Sequence, residues 1–138
     1  APLRQAGQAE VDDEYWSSMW DQQYLNMPEA WTQLSSINKD PSEVLIAVID
    51  TGVQIDHPDL VNNIWTNPNE IADNGIDDDG NGYIDDVHGW DFTADSATMI
   101  DEDGHGTHCS GSIAAEGNNG IGIVGVAGMS ANVKIVPL

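Results

Sequence analysis

Val44-Leu45-Ile46-Ala47-Val48-Ile49-Asp50-Thr51-Gly52 is the stretch on which the reading of this 138-residue chain turns. Six apolar residues in a row, rich in β-branched types, fit a strand buried on both faces, as in a parallel sheet covered by helices. The run stops at Asp50-Thr51-Gly52, which puts a carboxylate at the carboxyl end of the strand, where open α/β sheets gather their functional side chains. A second strand of the same kind is expected from Val133 to Val136. Between the two lie a long polar loop at about 66–88, a weaker strand near Val87 to Phe92, a helix from about Gly106 to Ala115 and a glycine-punctuated loop from Gly117 to Gly128. Strand, helix and strand in that order predict an α/β fold with right-handed crossovers. Upstream, Pro28, Glu29 and Ala30 open a short helix through Trp31 and Leu34. Residues 1–12 have no hydrophobic period and read as a flexible N-terminal arm.

Composition narrows the function. Twenty-four acidic residues face three basic ones, for a formal charge of −21, so nucleic acid and anionic membrane surfaces would be repelled. No apolar run approaches the ~18 residues of a membrane span. The single cysteine, Cys109, excludes an intrachain disulfide framework and any multi-cysteine zinc site. Seventeen of the 24 acids are Asp; Asp favours turns and hard-cation loops, which points to calcium rather than to a charged helical surface.

The residues that can do chemistry are Asp50 and His105. Asp103-Gly104-His105-Gly106-Thr107-His108 runs straight into the expected helix, with glycines on both sides of His105. An imidazole held there can act as a general base near neutral pH if a carboxylate orients its other nitrogen, and Asp50 is the candidate carboxylate. Asp101, Glu102 and Asp103 could attract a basic substrate side chain or simply form a solvated loop.

The densest acidic stretch runs from Asp73 to Asp86. With Asp77 as position 1 of a calcium loop, Asp79 falls at 3, Asn81 at 5, Gly82 at 6, the Tyr83 carbonyl at 7 and Asp85 at 9. Alternating oxygens then converge on a cation while glycine allows the sharp turn. Position 12 is His88 rather than a bidentate Glu, so the closing ligand comes from elsewhere, and Asp86 is the candidate. Without a cation, so many carboxylates in one loop would repel each other.

Three blocks carry a family resemblance: Val48-Ile49-Asp50-Thr51-Gly52-Val53, then His57-Pro58-Asp59-Leu60, then His105-Gly106-Thr107-His108-Cys109-Ser110-Gly111. In this order they resemble the subtilisin-like serine proteases, and Asn118 to Ala127 resembles that family's next loop. The resemblance covers roughly residues 13–138 and implies a three-layer α/β/α fold with a mainly parallel sheet, of which this chain would be the N-terminal part, carrying a calcium-binding insertion at about 66–90. It implies a calcium-dependent endopeptidase that acts through an Asp-His-Ser triad, with Asp50 and His105 as two members and polypeptides as substrates. The family's serine block is absent here, since none of the nine serines sits in such a motif. The serine and the remaining C-terminal part are therefore expected outside the chain, as a second chain or a cleaved segment, with a prosegment as a further partner. The resemblance also implies a second calcium site, made by Asp13, Asp59, Asn119 and the carbonyls of Gly117, Ile121 and Ile123. Calcium at roughly micromolar or higher levels points to a secreted or secretory-pathway protein. Two other readings stay open: Asp50-Thr51-Gly52 is also the signature of aspartic proteases, and a degenerate, calcium-binding fragment could serve as a binding module.

Overall fold

A computed structural model describes residues 9–37, 42–129 and 132–138. Strand β1 (Val44–Val48) pairs in parallel with β2 (Val133–Pro137), in a register that sets Val44 against Val133 and Val48 against Pro137. On the other side of β2, Ile64 bridges to Ile135 and the Trp65 amide donates to the Ile135 carbonyl at 2.8 Å. The second strand is thus the centre of the sheet and β1 is an edge among the described residues. Helices α1 (Trp20–Tyr24) and α2 (Met27–Ile37) precede the sheet, and α3 (His105–Ala114) packs on both strands.

The sheet and α3 share one apolar core of Val48, Val53, Leu60, Ile64, Ala114 and Ile135, with Ile46, Ile55, Ile113 and Val133 against it. The third helix turns a face of small residues inward: Gly106, Ser110, Gly111 and Ala114 are its buried positions. Their spacing of about one helical turn makes a flat stripe along which the helix can approach the sheet closely. A second cluster joins Val11, Trp31 and Val124, with Trp16, Met19, Met27 and Met129 around it, and the Trp31 indole N–H reaches the Val126 carbonyl at 2.8 Å.

Three expectations change. The apolar run at 44–49 is not buried on both faces: Val44 is 53% exposed, Leu45 49% and Ile49 80%, because the core lies on the face of Ile46 and Val48 and leaves Leu45, Ala47 and Ile49 on the opposite face exposed. No strand forms at Val87 to Phe92. Those residues run as a loop tied down by the Trp90 amide on the Pro137 carbonyl and by an isolated antiparallel bridge between Asp91 and Ser96. The part of the arm within the described residues is not loose either. Val11 is buried, and the Ala9 amide donates to the Thr32 hydroxyl at 2.7 Å; residues 1–8 lie outside the described residues. No helix among the described residues is long and apolar enough to cross a membrane.

Candidate active site and metal loops

The end of β1 and the start of α3 bring Asp50 and His105 together. Beyond β1 the chain stays in register for two more backbone bonds, Leu138 N–H to the Val48 carbonyl and Asp50 N–H to the Leu138 carbonyl, which fixes where Asp50 leaves the sheet. His105 is the first residue of α3, and its Nδ1 lies 2.7 Å from Asp50 Oδ1. The imidazole is open to solvent and the carboxylate largely covered, with side-chain exposures of 63% and 19%. Asp50 Oδ1 also accepts the Thr51 amide at 2.8 Å. Hydrogen bonding to His105, then the Thr51 amide, holds the Asp50 carboxyl below the usual carboxylate range. In return, the hydrogen bond and charge of Asp50 push the His105 imidazole up. A base with one nitrogen on a carboxylate and the ring open to solvent is equipped to take a proton from a nucleophile and hand it on to a leaving group. The thiol of Cys109, one turn further along α3, lies 3.7 Å from His105 Nδ1.

Glycine at 106 makes this approach feasible. A Cβ there would run into the backbone carbonyl of Gly52 and come within 3.1 Å of the Asp50 Cβ. Gly52 itself has φ +108° and lies against the Ile100 carbonyl, so the loop before the helix is clamped to the turn after the strand.

Asp101 is half-buried and bonded to the fold rather than part of a loose solvated loop. One carboxylate oxygen accepts the Gly104 amide and the Thr51 hydroxyl, each at 2.8 Å. The other accepts the Thr107 amide at 2.8 Å and its hydroxyl at 2.6 Å. Partial burial raises its pKa, but the hydrogen bonds from Thr107, Gly104 and Thr51 prevail and hold it at about 2. Glu102 and Asp103 are exposed and line an open groove of about 520 Å³ with Thr51, Asp91 and Thr98.

A subtilase family model matches residues 41–138. The chain belongs to the subtilase family. It is 46% identical over 86% of its length to "Subtilisin-like protease 1" of Plasmodium vivax, and 35% identical over 84% of its length to "Thermitase" of Thermoactinomyces vulgaris. It spans 19% of the first relative and 32% of the second. Family membership carries an α/β fold and overturns the aspartic-protease reading of Asp50-Thr51-Gly52: in this subtilase the partner of Asp50 is an imidazole, not a second carboxylate.

The residues named for metal binding fall into two groups. In the first, segment 12–15 lies along the 117–123 loop of the subtilase: Asp13 Oδ2 accepts the Asn118 amide at 3.0 Å, and the Tyr15 amide donates to the Gly122 carbonyl at 2.9 Å. From the other side Asp59 accepts the Asn119 side-chain amide at 2.8 Å and the Ile123 amide at 2.9 Å. Asp13 and Asp59 are 4% and 3% exposed. Asp13 Oδ1 is buried with no hydrogen-bond partner, and burial raises the carboxyl's pKa. A buried, orphaned carboxylate oxygen suits a hard cation.

In the second group, the loop of 66–90, Asp77 accepts the amides of Gly80, Asn81 and Gly82, led by Gly82 in keeping its pKa low. Asp79 accepts the Asn67 side-chain amide at 3.0 Å, and Asp86 sits between the amides of Asn67 and Asn81 at 3.1 and 2.9 Å. The Asn81 side-chain Oδ1 accepts the Tyr83 amide. Asp85 is engaged elsewhere, its two oxygens capping the amides of Asn74 and Gly75 at 3.0 Å each. Glu70 was not anticipated. Its Oε1 accepts the Asp78 and Asp79 amides at 2.8 and 3.0 Å, while Oε2 is buried without a partner. Carboxylate oxygens of Glu70, Asp77 and Asp79 lie within 4.8 Å of one another. Neither Glu70 nor Asp101 belongs to a spacing pattern; a bulky acid seven residues before Asp77 was the only sequence signal for the first.

Proposed function

We propose that this chain supplies the base and the orienting carboxylate of a calcium-stabilised serine endopeptidase, whose nucleophilic serine lies outside residues 1–138. The observation that carries the reading is the 2.7 Å bond between Asp50 and His105 across two elements. His105 takes the serine proton as the hydroxyl attacks the peptide carbonyl, then returns it to the leaving amine. Asp50 keeps Nδ1 protonated, so that Nε2 faces the reacting atoms, and stabilises the imidazolium as it forms. Exposed Val44, Leu45 and Ile49 on and beside the edge strand form the surface against which the serine-bearing part of the domain packs. A prosegment is a further partner, and the protein is secreted or lumenal.

Calcium, when bound, supplies positive charge that fastens loops rather than reacting groups. In the first site Asp13, Asp59 and Asn119 would hold it, with the carbonyls of Gly117, Ile121 and Ile123. In the second, Glu70, Asp77 and Asp79 would hold it, with Asn81, Asp86 and the Tyr83 carbonyl as further ligands and Asp85 bracing the loop through the Asn74 and Gly75 amides. The orphaned oxygens of Asp13 and Glu70 support these assignments.

Treating the complete gene product with a fluorophosphonate probe in calcium tests the reading. Label on a serine outside residues 1–138, lost in His105→Ala and strongly slowed in Asp50→Ala, is the expected result. A calcium-loaded, folded protein that takes no label would instead establish the degenerate binding module.

A further inference from the structure

We propose that Asp101 is a positioning residue that ties the turn after Asp50 to the start of the helix carrying His105, and so sets the register of the imidazole against its carboxylate. The proposal rests on the reading of Asp50 and His105 as two members of a peptidase triad.

The first turn of a helix presents amides with no partner inside the helix. In α3 the cap position is Gly104, which has no side chain to satisfy them and sits at φ +87°. Asp101 does this from outside the helix, taking the amides of Gly104 and Thr107 on different oxygens. A negative charge at that end is also favoured by the helix dipole. The amide between them, Gly106, donates to the Thr51 hydroxyl oxygen at 3.0 Å, and that hydroxyl donates to Asp101.

A closed circuit results. Asp50 accepts the Thr51 amide, Thr51 binds Asp101 and Gly106, Asp101 binds Gly104 and Thr107, and His105 between them returns to Asp50. The circuit joins residues about fifty positions apart without passing through the sheet. The exposed Asp50–His105 bond gains little rigidity from solvent-facing packing, so its geometry depends on the backbones that carry it. Asp101 is also unavailable to substrate. A carboxylate offers about four lone pairs, and all are met by Thr51, Gly104 and the two donors of Thr107. Its pKa of about 2 keeps that arrangement charged near neutral pH.

The test compares wild type, Asp101→Asn, Thr51→Val and the double variant in the complete, calcium-loaded gene product. Three quantities are read: the rate constant for fluorophosphonate labelling against pH, the far-downfield Nδ1 proton resonance of His105, and the thermal midpoint. Asn keeps one oxygen but sets an NH2 against donors. It is expected to slow labelling by about 10²-fold, the scale of a misplaced reacting group, to move the acid limb to lower pH and to weaken or shift the Nδ1 signal. Thr51→Val is expected to act in the same direction, and the double variant to be no slower than the slower single, because both break one circuit. A lower midpoint with unchanged labelling rate, acid limb and Nδ1 signal would reduce Asp101 to a structural cap and overturn the proposal; so would additive losses. Should Asp101→Asn fail to fold, a wild-type labelling rate in Thr51→Val overturns it alone. A wild type that takes no label defeats the peptidase reading and this proposal with it, whereas equal labelling of wild type and Asp101→Asn defeats only the positioning.

Discussion

Gly106→Ala isolates the contact on which the dyad depends. The added methyl meets the Gly52 carbonyl, which is backbone and cannot swing aside, and the Asp50 Cβ at 3.1 Å. Restoring van der Waals separation requires α3 to retreat by about 1 Å. The retreat opens the Asp50–His105 bond from 2.7 Å to about 3.7 Å, beyond hydrogen-bonding range. Two stability terms then oppose each other. Alanine is favoured over glycine inside a helix by about 1 kcal/mol, while overpacking costs about 1–3 kcal/mol, so the net loss is expected to be about 0–2 kcal/mol. Activity is more sensitive, because a displacement of this size at reacting groups costs about 10²-fold. Thermal unfolding and labelling kinetics on the complete gene product separate the two. A folded Gly106→Ala protein that labels at the wild-type rate would show that the contact with Gly52 does not set the dyad's geometry.

Gly111→Ala gives the opposite result in the same helix: its new Cβ meets only the Ile123 Cδ1, at 3.6 Å, so thermal unfolding should show a gain of up to about 1 kcal/mol with activity unchanged. Glu70→Gln keeps an acceptor for the Asp78 and Asp79 amides but removes a charged ligand; terbium titration, read by emission sensitised through nearby Tyr83, should show affinity lower by at least the 10–100-fold that loss of an outer-shell partner costs. Asp85→Asn should stay close to wild-type affinity, and equal losses in the two would return Asp85 to the ligand set. Because Asp50 raises the His105 pKa and a general base must be neutral, the acid limb of the labelling rate should lie above the ordinary histidine value of ~6.5, and Asp50→Asn should bring it down. The same shift adds stability that is full below ~6.5 and is lost as pH rises through the raised value. Asp101 behaves oppositely: held at about 2, it stabilises fully above ~3.9 and loses that contribution as pH falls toward 2.

The dyad was legible because each member marks the end of a strongly patterned element. The apolar run delivers Asp50, and Gly104-His105-Gly106 announces the start of a helix that begins within one residue of expectation, at His105. The second strand likewise spans Val133–Pro137 against an expected Val133 to Val136. What was not legible depends on partners far away in sequence. Asp101 takes its role from Thr51, fifty residues earlier, and no spacing rule announces such a pair. Glu70 precedes the twelve-residue pattern that names Asp77 and Asp79 as candidate ligands, so that template points to Asp86 for closure instead. Val11 was read as part of an arm because one buried residue makes no period, yet it fills a gap between Trp31 and Val124. The apolar run was expected to be covered on both faces because burial, unlike periodicity, is a property of the neighbours.

The acidity of the chain divides by the same logic. Carboxylates whose oxygens meet amide or hydroxyl donors, such as Asp91 and Asp101, are held below the usual range by those hydrogen bonds and fold turns and helix ends without help. Asp13 is different: it is buried, its Oδ2 accepts the Asn118 amide, its Oδ1 has no hydrogen-bond partner, and burial raises its pKa. Glu70 shares the orphaned oxygen and adds two carboxylate neighbours. Burying such oxygens is unfavourable unless something positive meets them, and the one lysine among the described residues, Lys134, donates to the Asn62 carbonyl. The formal charge of −21 therefore includes carboxylates satisfied by the fold's own donors and buried carboxylate oxygens that a cation would satisfy. Chelation should accordingly loosen the loop of 66–90 and the 12–15 segment while leaving the start of α3 intact. Amide exchange with and without chelator reads the difference directly, and equal loosening of all three regions would show that the division is wrong.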